Sequence, residues 1–138
     1  MIRVSDLLRR PLVSLPETAT IREVATELAK NRVGLAVLTA RDNPKKPVAV
    51  VSERDILRAV AQRQDLDGPA MSIANSPITV LDTDPVRVAT EKMRQHNIRH
   101  VVVVNKNGEL VGVLSIRDIC FERAILMDLV SAEAPATP

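Results

Sequence analysis

The stretch Val111-Gly112-Val113-Leu114-Ser115-Ile116-Arg117-Asp118-Ile119 decides the fold. It reads as a buried strand that runs into Ser-x-x-Asp at the start of a helix. An earlier stretch, Val48-Ala49-Val50-Val51-Ser52-Glu53-Arg54-Asp55-Ile56, has the same pattern. Ser52, Arg54, Asp55 and Ile56 recur as Ser115, Arg117, Asp118 and Ile119, about half a chain later. A fixed offset of this size marks an internal duplication.

Ser-x-x-Asp has two chemical readings. As a capping box, the serine accepts from an orphan backbone N–H and the carboxylate reaches back to the cap. As a ligand site, the same N–H groups and hydroxyl hold an anion such as phosphate. The carboxylate then accepts from ligand hydroxyls, as an acidic residue does for ribose in dinucleotide folds. Both readings can hold at once.

Outward from the two motifs, the halves replay one order. Residues 4–10 read as a short helix stopped by Pro11, and residues 12–15 as a strand. Thr20 and Glu23 make a capping box for a helix from Ile21 to Asn31, whose Ile21, Val24, Ala25 and Leu28 form an apolar stripe. Gly34 fits a helix stop or a close backbone approach. Leu35–Leu38 and Val48–Val51 flank a polar turn at residues 41–47, which predicts an antiparallel hairpin. A helix from Glu53 to Gln62 follows. After the polar connector, Ile78–Leu81 reads as a strand, and Pro85 is placed in the first turn of the next helix. Val86, Ala89 and Met93 stand 65 positions after Ile21, Val24 and Leu28. Val101–Val104 is a strand buried on both faces. Leu110–Leu114 returns beside it, and the motif helix is expected from Ile116 to about Val130.

The expected architecture is α+β, with two β-α-β-β-α units packed about a pseudo-twofold axis, sheets face to face. The first unit spans residues 4–64 and the second residues 70–130. Residues 65–69 link them, and residues 131–138 are expected to be a disordered tail. Each sheet has a face to bury, and pairing the units buries it.

Composition narrows the function classes. The chain has 138 residues and a formal net charge of +2, too small to imply nucleic acid. Phe121 is the single aromatic residue, so any nucleobase pocket is aliphatic. The one cysteine, Cys120, excludes an internal disulfide and is read as a buried small hydrophobe. No signal-like or membrane-spanning run is visible, which predicts a cytoplasmic soluble protein. His96 and His100 stand four apart but lack companion ligands for a metal. Arg9-Arg10 and Lys45-Lys46 are read as solvated surface, not a nucleic-acid footprint. No Gly-rich phosphate loop, nucleophile–base pair or metal cluster is present, so no enzyme activity is expected. Apolar positions near Phe121, Ile125 and Met127 suit a partner surface or ordinary core packing.

The chain resembles the CBS domain family, as a tandem pair, over about residues 4–128. The match rests on Ala49-Val50-Val51-Ser52-Glu53-Arg54-Asp55 and Gly112-Val113-Leu114-Ser115-Ile116-Arg117-Asp118. It is supported by Asn97-Ile98-Arg99-His100-Val101 and Pro77-Ile78-Thr79-Val80. Ala49 departs from the family's usual glycine and is expected to crowd the first site slightly. The resemblance implies clefts between the repeats for adenosine compounds: AMP first, with ADP, ATP or S-adenosylmethionine as alternatives. These are ligands, not cofactors. It assigns ribose hydroxyls to Asp55 and Asp118, and phosphate to Ser52 and Ser115 with Arg54 and Arg117 adding charge. Ser14, Leu15, Thr79 and Val80 would face adenine. Val33, Gly34, Leu35, Ile98, Arg99 and His100 would close the pocket, with Val101 counted among the ligand-binding positions. The resemblance further implies a homodimer that regulates an effector protein. A ligand-free structural module is the main alternative, and a nucleic-acid-binding protein the lesser one.

Overall fold

The chain folds into two three-stranded sheets, each flanked by helices. The computed structural model describes residues 1–120, together with Met127 and Val130. In the first half the elements are β1 (Ser14–Pro16), α1 (Ile21–Asn31), β2 (Leu35–Ala40), β3 (Asn43–Ser52) and α2 (Glu53–Ala61). In the second they are β4 (Thr79–Leu81), α3 (Val86–His96), β5 (His100–Val104), β6 (Leu110–Ser115) and α4 (Ile116–Cys120). Sheet order is β1-β2-β3 and β4-β5-β6, with the first pair of each parallel and the second antiparallel.

The register repeats along with the order. Leu35 pairs with Ser52 and His100 with Ser115, so each motif serine sits across from the first residue of the central strand. The central strands are buried on both faces, as the valine run required. On β5, Val101 and Val103 face the helices of the second half, while Val102 and Val104 meet Val37 of β2 between the sheets. This alternation follows from the two-residue period of a strand. The seam is entirely aliphatic, with Val50, Val113 and Leu110 at its margin.

Helix starts follow the sequence closely. Thr20 Oγ1 accepts from Glu23 N–H at 3.1 Å while Glu23 accepts from Thr20 N–H at 3.0 Å, a complete capping box. Helices α1 and α3 end alike: Arg32 and Asn97 adopt left-handed conformations at φ 55° and 51°. Gly34 is therefore not the helix stop. A Cβ there would lie 3.2 Å from Glu53 Oε1 and 3.3 Å from His100 Cε1, so its role is a close approach between the halves.

Four expectations are corrected. Residues 4–10 form only a 3-10 turn at Val4–Leu7. So short a segment cannot hold a helix alone; it is pinned by Val4 N–H to Asp84 O and Ser5 N–H to Asp82 O. The expected turn at residues 41–47 belongs largely to β3, which is an edge strand of its sheet and so tolerates Pro44 and Pro47. Pro85 caps α3 from outside, with extended ψ 149°. Cys120 is exposed, because it turns away from the buried side that Ile119 occupies. The rest of the expected motif helix and the tail lie outside the described residues, apart from Met127 and Val130, which are helical and exposed.

The two halves also exchange short segments. Val4 and Leu7, from the start of the chain, are 0% and 2% exposed inside the core of the second half. A second 3-10 turn, Ala70–Ile73, packs Ala70 into the core of the first half. Its approach is fixed by Ile21 N–H to Gly68 O, Ala70 N–H to Ala19 O, and paired bonds between Val50 and Asn75 at 2.9 Å.

Candidate functional site

The cross-over places the second motif, with Glu53 of the first, at a cleft between the halves. From the second half come Arg99 and His100 at the start of β5, and Ser115, Arg117 and Asp118 at the β6–α4 junction. From the first half come Arg32, Val33, Gly34 and Leu35 between α1 and β2, and Glu53 at the start of α2. Arg10 and Pro11 close one side. The cleft encloses about 190 Å³.

Asp118 organises this site. Its side chain is only 8% exposed. Oδ2 accepts from Ser115 N–H at 2.8 Å, and Oδ1 accepts from Arg10 Nε–H at 2.6 Å. Ser115 Oγ in turn accepts from Arg117 N–H at 3.1 Å. Each carboxylate oxygen has capacity for more than one hydrogen bond, so the group can also take neighbouring hydroxyls. Four arginines and His100 surround two carboxylates, Glu53 and Asp118, which suits an anionic ligand. Burial holds the His100 imidazole below its usual pKa, opposed by the nearby charges of Glu53 and Asp118. His100 is thus biased toward the neutral form unless a ligand anion joins it.

The first-half motif is built on the same plan and is more self-contained. Asp55 Oδ2 accepts from Ser52 N–H at 2.8 Å and Ser52 Oγ–H at 2.9 Å, and Ser52 Oγ accepts from Asp55 N–H at 3.2 Å. Asn75 Nδ2 adds a third contact to Asp55 Oδ2 at 3.3 Å. The capping reading of Ser-x-x-Asp is therefore realised here in full.

The expected site residues separate into two groups. Val33, Gly34, Leu35, Arg99, His100, Ser115, Arg117 and Asp118 meet in the one cleft. Ser14, Leu15, Ser52, Arg54, Asp55, Thr79, Val80, Ile98 and Val101 do not line it. Val80 and Val101 are buried core residues, at 3% and 1% exposure, with no free face to offer. Ser14, Leu15 and Thr79 lie on β1 and β4, across the central strands from the motif serines. Arg54 is exposed on α2. Arg10, Pro11, Arg32, Glu53, Val113 and Ile116 also line the cleft and were missed. The reading of Arg10 as solvated surface is corrected by its bond to Asp118, which comes from the exchange of the N-terminal segment and has no signal in local sequence. Glu53 was legible in principle, as the residue right after the motif serine. Among the described residues no group of three or more His, Cys, Asp or Glu could hold a metal ion. No helix among them is long and apolar enough to cross a membrane.

The same two-part organisation is found by comparison. The pattern of the CBS domain matches residues 4–62 and again residues 70–124. The chain belongs to the CBS domain family. A solved CBS domain protein from Pyrobaculum aerophilum, complexed with AMP, is 88% identical, covers 94% of this chain and 99% of its own, and superposes with a TM-score of 0.88. The CBS domain pair of protein MJ0100, in complex with 5′-methylthioadenosine and S-adenosyl-L-methionine, is 26% identical, covers 87% of this chain and 94% of its own, and has a TM-score of 0.78. An uncharacterized 17.7 kDa protein of Acidianus ambivalens is 30% identical over 90% of this chain and 73% of its own length. Other relatives are longer: the chain spans 61% of an uncharacterized Methanopyrus kandleri protein and 22% of an L-aspartate semialdehyde sulfurtransferase from Methanocaldococcus jannaschii. As a CBS pair, the chain has its motif serines and aspartates at equivalent places in both repeats, and Gly112 under the Leu8 side chain at 3.3 Å from an added Cβ. The second repeat keeps that glycine; the first has Ala49, which is 4% exposed and packed in its core.

Proposed function

We propose that this CBS pair is a nonenzymatic, cytoplasmic sensor of adenine nucleotide, AMP foremost, that works as a homodimer through an effector protein. The observation that carries the reading is the cleft around Asp118. A buried carboxylate, a helix-start serine and four arginines converge there from both repeats. Asp118 holds the ribose hydroxyls, Ser115 and the arginines hold phosphate, and Leu35, Val113 and Ile116 give the base an aliphatic wall. The AMP complex of the Pyrobaculum protein supports the choice of ligand. Because both repeats supply the cleft, a ligand biases how they sit against each other, by no more than its difference in affinity for two arrangements. The exposed Leu57 and Val60 on α2, with Met127, support a dimer face.

Thermal denaturation against AMP, ADP, ATP, S-adenosylmethionine, GTP and duplex DNA tests the reading. A ligand at 100 times its Kd adds about 2.7 kcal/mol to native stability. A shift selective for an adenosine compound supports the sensor. No shift from any of them turns the assignment to a structural module, a reading favoured by the closed capping box at Ser52 and Asp55.

A further inference from the structure

His100 is the one charge in the Asp118 cleft that is not fixed near neutral pH. The fixed charges reach it from every side. Glu53 comes from α2, Asp118 and Arg117 from α4, Arg32 from the end of α1, and Arg10 from the N-terminal segment; Arg99 precedes it in the chain. Four arginines against two carboxylates leave the cleft cationic. His100 Cε1 lies 3.3 Å, and Glu53 Oε1 3.2 Å, from the point where a Cβ on Gly34 would stand. Imidazole and carboxylate thus crowd one spot at the close approach of the repeats. The ring is half-buried, yet among the described residues its nitrogens have no hydrogen-bond partner. The fold surrounds the imidazole with charge and leaves both nitrogens for a ligand.

We propose that His100 couples phosphate binding to proton uptake: a phosphorylated ligand enters this cleft with a proton from solvent, which settles on the imidazole, and an unphosphorylated one enters without it. This rests on the adenosine-binding reading above and adds its dependence on pH. In the protein alone, a protonated ring is a fifth cation among four arginines, in a place partly closed to water. Both effects disfavour it. Glu53 and Asp118 act the other way, but Asp118 is already paired with Arg10 at 2.6 Å. A phosphate dianion reverses the balance. It offsets the repulsion of the arginines and accepts a bond from an imidazolium N–H, stronger than one from a neutral ring. An uncharged nucleoside brings burial without the anion and favours the neutral ring further. AMP therefore binds more tightly as pH falls toward the ordinary histidine value of about 6.5. The phosphate's own protonation, near about pH 6, ends the gain.

The test is proton NMR of the imidazole Cε1–H signals of the full chain, titrated against pH alone, with AMP and with adenosine. The chain has two histidines. His96, exposed in the last turn of α3 and outside the cleft, is the internal reference, and His96→Gln assigns the signals. The His100 midpoint is expected to rise with AMP and not with adenosine, while His96 stays in place. By the same linkage, AMP affinity should rise on the order of tenfold between about pH 8 and about pH 6, the worth of a hydrogen bond to a charged group. His100→Gln should lose that rise and keep AMP binding, with melting temperatures checking that the variant folds. A thermal shift with AMP while the His100 midpoint is unmoved or lowered overturns the coupling and leaves the adenosine reading intact. So does a midpoint that rises equally with adenosine. A wild-type protein that gives no thermal shift with either compound overturns both.

Discussion

At the scale of single residues, Asp118 joins stability to function, because its two oxygens serve a helix start and a side chain from the far end of the chain. Asp118→Ala is expected to cost about 1–2 kcal/mol of stability, a lost helix-start bond together with an unpaired Arg10. The same change should lower AMP affinity at least about tenfold, as the loss of a charge-assisted anchor. Urea denaturation and titration on one sample measure both; a stability loss with unchanged AMP binding would leave Asp118 a cap and nothing more. His100 gives a pH dependence. Its pKa in the fold is lowered by burial, so the unfolded chain binds the proton more readily. The stability tied to neutral His100 is present above the unfolded value of about 6.5 and is lost as pH falls through the lower folded value. His100→Gln should flatten the wild-type loss of stability on the acid side of that value, read as melting temperature against pH. Of the residues that line the cleft, those legible in sequence were the ones placed by a local rule: Ser115, Asp118 and the turn before the central strand. Arg10 was not, because what makes it a site residue is a contact 108 positions away.

At the scale of elements, local chemistry read well where it dominates and poorly where the neighbour decides. The α1 boundaries were legible because Thr20 and Glu23 close a capping box that owes nothing to the rest of the fold. The valine strand was legible because four β-branched residues in a row need both faces covered. The start of β3 was not, since Pro44 and Pro47 signal a turn in every context except an edge strand. The 3-10 turns were not either, since their conformation comes from docking on the opposite repeat. That docking predicts an unusual mutational response. Leu7→Ala, at the very start of the chain, should cost about 2–4 kcal/mol, the range for emptying a buried leucine site. Leu12→Ala, five residues on and 39% exposed, should cost much less. Comparable losses at the two positions would show that Leu7 is not sealing the second core.

At the scale of the molecule, sequence repeats and packing units are offset. The sequence divides at the connector, but each core is closed by a segment that lies on the other side of that division. A fragment of residues 1–64 keeps β1 to α2 and loses Ala70, which is fully buried against them, along with the Val50–Asn75 bonds. It also keeps Val4 and Leu7 with no core to fill. A fragment of residues 10–76 has the same strands and helices, is of nearly the same length, and carries its own closing segment. Neither retains the aliphatic seam of Val37, Val102 and Val104, so both lose apolar burial between the sheets. The comparison therefore isolates the exchanged segment. The fragment of residues 10–76 should show more helical circular dichroism and a steeper urea transition than residues 1–64, and residues 1–64 should bind a hydrophobic dye through the opened core. Equal cooperativity in the two fragments would mean that the repeat boundary in sequence is also the folding boundary. The exchanged segments would then be passengers on two self-sufficient cores. The expected result makes them the reason one repeat cannot shift without moving Arg10 or Asn75, and with it the motif aspartate of the opposite repeat.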